Sequence, residues 1–298
     1  MTFASPQCSN TYSVMSAVIA HLSIPTREGQ SMTDGGRTEA SLQGRTVVVT
    51  GAARGIGREI ALAMAGAGAD VAVTARSREE AQRTVGEIES LGRRGLAVAL
   101  DLADRAQVAP AFEAVVEVFG GIDVLVCNSG VGGPSAPLWD VTDESWDEVV
   151  DVNVTGPFLC VRAAVPHMIA AGHGVVLVIG SMTGKRPLLH RAPYAASKLA
   201  VVGLCRTLAL DLGAHGVRAN VISPGLVGGE RLDWVVENQA AARGLEVDEM
   251  REAMLADTPL KRFTTAGDVA ATAVFLASDG AAAITGEDVN VSSGLVMY

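Results

Sequence analysis

Between residues 46 and 57 the chain reads Thr46-Val-Val-Val-Thr50-Gly51-Ala-Ala-Arg54-Gly55-Ile56-Gly57. A short unbroken apolar run, the mark of a strand covered on both faces, passes directly into three glycines and then into a helical segment. Glycine tolerates positive φ and lets the backbone come close to a ligand, while the free N–H groups at a helix start suit a pyrophosphate. An ordinary tight turn has no need of three glycines. Placed between the first strand and the first helix of an alternating chain, the turn points to a dinucleotide site.

That alternation continues outward. Strands are expected at Thr46 to Thr50, Asp70 to Ala75, Leu96 to Leu100, Val124 to Cys127, Val175 to Gly180, Arg218 to Ile222 and Asp288 to Val291. Helices are expected near Gly57 to Ala67, Arg78 to Leu91, Arg105 to Phe119, Trp146 to Ala171, Tyr194 to Leu212 and Asp268 to Ser278. The pattern predicts a single-domain, Rossmann-type α/β fold, a doubly wound parallel sheet of about seven strands with helices on both faces, spanning 42–298. The polar segment Gly228 to Thr258 interrupts the rhythm near the carboxyl edge of the sheet, where ligands bind, and reads either as a substrate lid or as a solvated helix pair.

With 298 residues, 49% of them hydrophobic but only 4% aromatic, and 33 glycines, the composition favours tightly packed small-residue helices on a sheet over an aromatic-lined β-sandwich. A net charge of -10 argues against nucleic acid and anionic membranes as partners. Cys8, Cys127, Cys160 and Cys205 show no paired spacing, so no metal site and no disulfide framework is expected and a cytoplasmic location fits. Ser13 to Ile24 is too short for a membrane span and has no basic residues before it. The Ser/Thr/Gly-rich extension 1–41 is expected to be disordered, with Met32 a candidate natural start.

Two further groups carry chemistry. In Tyr194-Ala-Ala-Ser-Lys198 the phenol and the ammonium share one helix face, and a cation one turn away lowers the pKa of a tyrosine toward the working range of an acid/base catalyst. Ser181, at the end of the fifth strand, is placed to donate a hydrogen bond to a carbonyl oxygen that gains negative charge. At the end of the second strand, Ala75 stands where an NAD enzyme carries a carboxylate, and Arg76, with Arg54 in the glycine turn, suits a 2′-phosphate. NADP(H) is therefore expected in preference to NAD(H).

The spacing of Gly51, Gly55 and Gly57, taken with the Tyr194/Lys198 pair, resembles the short-chain dehydrogenase/reductase family, most closely its 3-oxoacyl-carrier-protein reductase-like members, from about Leu42 to the C-terminus. The resemblance implies NAD(P)(H)-dependent interconversion of a ketone and a secondary alcohol, pro-S hydride transfer, no metal, and a homotetramer packed through the helices of Asn153 and Tyr194. It implies a catalytic tetrad of Asn153, Ser181, Tyr194 and Lys198, with Asn153 holding a relay water and Lys198 also binding the nicotinamide ribose. Cofactor contacts would come from Gly51, Arg54, Gly55, Ile56, Gly57, Arg76, Asp101, Leu102, Asn128, Gly130, Tyr194, Lys198, Pro224, Gly225 and Val227. Asp101 also reads as a helix N-cap. Departures are Cys127 and Ser129 around Asn128, and Val227 where the family often has threonine. The substrate wall would include Ser181, Met182, Thr183, the Val131-Gly-Gly-Pro134 loop, His190, Arg231 and Trp234, with Trp234 as apolar anchor. Acyl thioesters, polyols or sugars, steroids and polyketides all stay open as the small-molecule substrate. The rival reading is a non-catalytic NADP-binding protein that senses redox state or scaffolds partners; retention of Tyr194 and Lys198 speaks against it.

Overall fold

In the computed structural model, which describes residues 41–298, seven parallel strands form one sheet in the order β3-β2-β1-β4-β5-β6-β7. These are β1 (Thr46–Val49), β2 (Asp70–Ala75), β3 (Gly95–Ala99), β4 (Val124–Cys127), β5 (Gly174–Ile179), β6 (Val217–Pro224) and β7 (Asp288–Val291). Every residue of β1, β2, β4 and β5 is buried, as strands with both faces covered require. Successive side chains point to opposite faces. Val47, Val49, Val71 and Val126 therefore meet α1 (Gly55–Gly66), α2 (Arg78–Ser90) and α9 (Ala266–Ala277), whereas Val48, Ala72, Leu125 and Val176 meet α3 (Val108–Phe119), α5 (Gly156–Ala171) and α6 (Ala192–Leu212). Each fully buried Val or Leu contributes about 1.5–3 kcal/mol, so the alternation fixes the register against one-residue slips. Strand order reverses between β1 and β4, and the loops that leave their carboxyl ends diverge there to open a crevice.

The expected strands and helices are all present, and the shifted ends have local causes. α4 (Asp143–Val150) starts before Trp146 because the Thr142 hydroxyl accepts from the Ser145 N–H at 3.3 Å. α9 starts before Asp268 because Thr265 and Asp268 close a reciprocal capping box. At Arg105–Gln107 the chain forms a 3₁₀ turn capped by Asp104 before α3 begins. The long helix expected from Trp146 to Ala171 is interrupted by a π-helical turn at Asp151–Thr155. Pro157 explains the break: it has no N–H to give to the Asn153 carbonyl four residues back.

The segment after β6 folds as α7 (Glu230–Arg243) and α8 (Val247–Ala256). Leu232, Val236, Met250 and Met254 pack on Met182, Leu226 and Val296, which seats the helix pair beside the carboxyl edge of the sheet. The run Asp143–Ala171 is long and apolar enough to cross a membrane by length and composition, but Leu159, Cys160, Ala164 and Met168 are buried in the core behind the sheet. Residues 1–40, with Cys8 and Met32 and all but the last residue of the expected extension, lie outside the described residues.

Candidate active site

The glycine turn after β1 is shaped by close approaches. Gly51 has φ +64°, and a Cβ there would lie 2.7 Å from Ser129 Oγ; one on Gly57 would lie 2.6 Å from the Gly51 carbonyl. Asn128 ties the turn to the end of β4, its Nδ2 donating to the carbonyls of Thr50 at 2.8 Å and Gly51 at 3.1 Å. α1 opens on Arg54 in extended conformation, with no side-chain cap and no acidic residue in its first turn. Its first N–H groups and positive dipole end are thus left for a ligand, whereas α2 and α9 spend theirs on Ser77 and Thr265. The residues present fit a dinucleotide pyrophosphate at this place.

Across the crevice, α6 carries Tyr194 and Lys198. Lys198 is buried, and its Nζ donates to the Ile179 carbonyl at 2.8 Å and lies 5.8 Å from the centre of the Tyr194 ring. A Cβ on Gly130 would fall 3.1 Å from Asn153 Oδ1 and 3.4 Å from that Nζ, so a side chain there would crowd Asn153 beside the lysine. Asn153, 1% exposed, accepts from the Val131 N–H at 2.8 Å and donates to the Val131 carbonyl and the Ser197 hydroxyl, both at 3.0 Å. Its side chain is fully engaged in fixing the β4–α4 loop. Pro157 removes the ordinary i+4 donor from its backbone carbonyl.

The electrostatics favour a reactive phenol. Burial alone would raise the pKa of Tyr194, but Lys198, Arg231, the Ser181 hydroxyl and Arg191 all favour phenolate and together hold it below the ordinary tyrosine range. Burial pushes the Lys198 ammonium down, opposed by Tyr194, and Arg231 pushes the same way as burial. Ser181 follows β5 by two residues and accepts from the Thr183 N–H at 3.1 Å. A phenol, a hydroxyl and an ammonium thus converge beside a dinucleotide crevice, and together they can exchange a proton with an oxygen placed among them.

Comparison with known proteins agrees with this geometry. The family model described as enoyl-(acyl carrier protein) reductase matches residues 51–296. The 3-oxoacyl-acyl-carrier-protein reductase FabG of Staphylococcus aureus (strain Mu50 / ATCC 700699) is 36% identical over 254 residues, which cover 85% of this chain and 98% of that protein. The chain belongs to the short-chain dehydrogenase/reductase family. Solved structures of this family superpose closely: an NAD+-bound xylitol dehydrogenase has a TM-score of 0.82 at 29% identity, covering 85% of this chain and 99% of that one. A protein provisionally assigned as an NAD(P)-dependent gluconate 5-dehydrogenase from Beutenbergia cavernae, with NADP at low occupancy, has a TM-score of 0.77 at 38% identity, covering 86% and 98%. As a short-chain dehydrogenase/reductase the protein is an NAD(P)-dependent oxidoreductase that interconverts a ketone and a secondary alcohol.

Within the family pattern, several residues differ from expectation. Asp101 does not cap a helix: its carboxylate accepts from the Ala103 N–H at 3.0 Å in a local turn, and Asp104 is the cap. Leu102 points its side chain into the core, 5% exposed, so any cofactor contact there must come from backbone. Trp234 does not stand free as an apolar anchor, since the Arg191 guanidinium stacks 4.8 Å from its ring centre. Lys185 and Arg186 pair with Asp288 and Asp257, each at 2.8 Å. Met182 and Thr183 are buried, and His190 adopts φ 61° with its carbonyl accepting from the Ala136 N–H at 3.1 Å. Val227 bridges to Thr264 through the Leu226 carbonyl and the Gly228 N–H, which leaves its own N–H and carbonyl on the other side. Gly225 abuts Ser292 after Pro224. Arg76 is exposed, and Arg54 faces Glu230 at 3.9 Å. Cys127 is buried, its thiol raised by a hydrogen bond with Cys160 and by burial, and is inert.

Proposed function

We propose that Tyr194 is the general acid/base of a carbonyl reductase that prefers NADP(H), with Ser181, Lys198 and Asn153 completing the catalytic group. When bound, the nicotinamide supplies the hydride for reduction and accepts it for oxidation. In the reductive direction the Tyr194 O–H gives its proton to the carbonyl oxygen while the Ser181 hydroxyl donates a hydrogen bond to the same oxygen. Lys198 stabilises the phenolate left behind and, beside Gly130, is placed for the nicotinamide ribose. A water on the Asn153 carbonyl returns the proton. The turn of Gly51, Gly55, Ile56 and Gly57 would hold the pyrophosphate.

The observation that carries this reading is the half-buried phenol held acidic by a neighbouring ammonium, with a second O–H at its side. Two donors aimed at one oxygen suit a C=O better than a C=C bond. Ala75 at the end of β2 offers no carboxylate to a ribose, and the exposed Arg76 offers a guanidinium, which supports NADP(H). α7 and α8 form the wall over the substrate side. A homotetramer in the cytoplasm completes the proposal, supported by the exposed Phe158 on α5 and Leu199 and Leu210 on α6. The test is oxidation of NADPH and NADH against a panel of ketones and a panel of 2-enoyl thioesters. Reduction of ketones with NADPH favoured is expected; reduction of the enoyl compounds alone would overturn the assignment.

A further inference from the structure

Two guanidinium groups stand over the phenol without a counter-ion. The Arg191 guanidinium carbon lies 4.9 Å from the centre of the Tyr194 ring, and that of Arg231 lies 5.3 Å from it. Both reach the same point of the β4–α4 loop: a Cβ on Gly132 would be 3.3 Å from one Nη2 and 3.5 Å from the other. The acids that flank Arg231 on α7 are turned elsewhere, Glu230 toward Arg54 and Asp233 to Arg251. Among the described residues no carboxylate lies within 4.0 Å of either guanidinium.

Arg191 is 3% exposed, yet only its Nη1 has protein partners, the carbonyls of Gly133 at 3.3 Å and Pro134 at 3.4 Å. Its Nε and Nη2 have no protein partner and are not fully sealed from solvent. A buried cation beside a second cation is costly unless an anion joins them, and stacking on Tyr194 and Trp234 leaves the charge in place. Burial acts against the charged form of Arg191, an ionised Tyr194 favours it, and Arg231 opposes it.

We infer that the substrate carries a compact oxyanion, a carboxylate or a phosphate ester, within a few bonds of the reacting carbon, clamped between Arg191 and Arg231. This rests on the Tyr194-centred reading above and narrows it to small anionic ketones and alcohols. It sets aside neutral sterols and long acyl thioesters, whose carbonyl has no anion nearby. The clamp also counters the negative field of a chain with net charge -10.

The test compares short 2-, 3-, 4- and 5-oxo acids, and a ketone phosphate, with their primary amides or neutral esters. It reads kcat/KM with NADPH and binding to the NADP+-loaded protein by calorimetry. The acid should exceed its amide at least about tenfold, and Arg231→Ala, at an exposed position, should cut that ratio about tenfold to hundredfold. Any effect of Arg231 on the acidity of Tyr194 cancels in the ratio. Arg191→Lys should lower the ratio too, while keeping a charge that maintains the stack. A preference for phosphate over carboxylate at equal length assigns the anion as phosphate, and the reverse as carboxylate. Equal use of acid and amide, or a ratio unmoved by Arg231→Ala with NADPH binding weakened instead, overturns the clamp. Acid-selective binding without turnover would uphold the clamp while rejecting the redox chemistry.

Discussion

Replacing Lys198 with methionine keeps the volume of a long side chain and removes the charge nearest Tyr194 from within the helix. At the observed 5.8 Å and an effective dielectric constant of about 20, a unit charge stabilises the phenolate by roughly 3 kcal/mol, or about 2 pKa units. The sign is fixed by chemistry: a cation favours the deprotonated phenol, so its loss raises the pKa. The chain has only three tyrosines, which makes direct titration practical. Tyrosinate absorbance is followed against pH in wild type and Lys198→Met, with Tyr194→Phe subtracted as the blank. Wild-type Tyr194 should ionise below the ordinary tyrosine range, and in Lys198→Met it should move up by about 2 units, with the acidic limb of alcohol oxidation moving in step. The same ionisation in both proteins would refute the electrostatic reasoning, because Arg231 and Arg191 remain in the variant and only the lysine has gone.

Other consequences are testable one by one. Arg76→Ala should lower kcat/KM for NADPH about tenfold to hundredfold and leave NADH nearly unchanged, as steady-state kinetics with both cofactors would show. Gly51→Ala imposes a side chain at φ +64° and against Ser129, so it should cost about 1–3 kcal/mol in chemical denaturation and weaken dinucleotide binding measured by fluorescence. Asp268→Ala opens the capping box of α9 and the pairing with Arg262 and should cost about 1 kcal/mol at neutral pH. Arg262 and the Thr265 N–H hold the Asp268 carboxyl well below its usual range. Its stabilisation is therefore full above the ordinary carboxylate pKa and lost as pH falls through the native one, so the stability difference between wild type and Asp268→Ala should vanish only in strong acid.

The parts of the molecule set by local chemistry were legible in the sequence. Unbroken Val runs marked buried strands, three glycines marked the turn before α1, and a four-residue spacing placed Tyr194 and Lys198 on one face. Helix starts were misread where a capping Thr lay upstream of the first apolar residue, as at Thr142 and Thr265. The π-turn at Asn153 had a visible signal in Pro157, a residue that removes a helical donor from the Asn153 carbonyl. The environment of the substrate was least legible, because it depends on pairings between distant segments. Asp288 and Asp257 come to Lys185 and Arg186 only through the fold. Trp234 reads as an apolar wall until Arg191 stacks on it. Nothing in the order of residues announces that Arg191 is buried without a carboxylate; that follows only from how α7 and the β4–α4 loop close around it.

The account stands most directly on the phenol of Tyr194, and the measurement that reaches it is carbonyl-dependent oxidation of NADPH by Tyr194→Phe beside its affinity for NADPH. Turnover should fall by at least about a hundredfold while the affinity stays close to that of the wild type. Turnover equal to that of the wild type would contradict proton transfer through this residue.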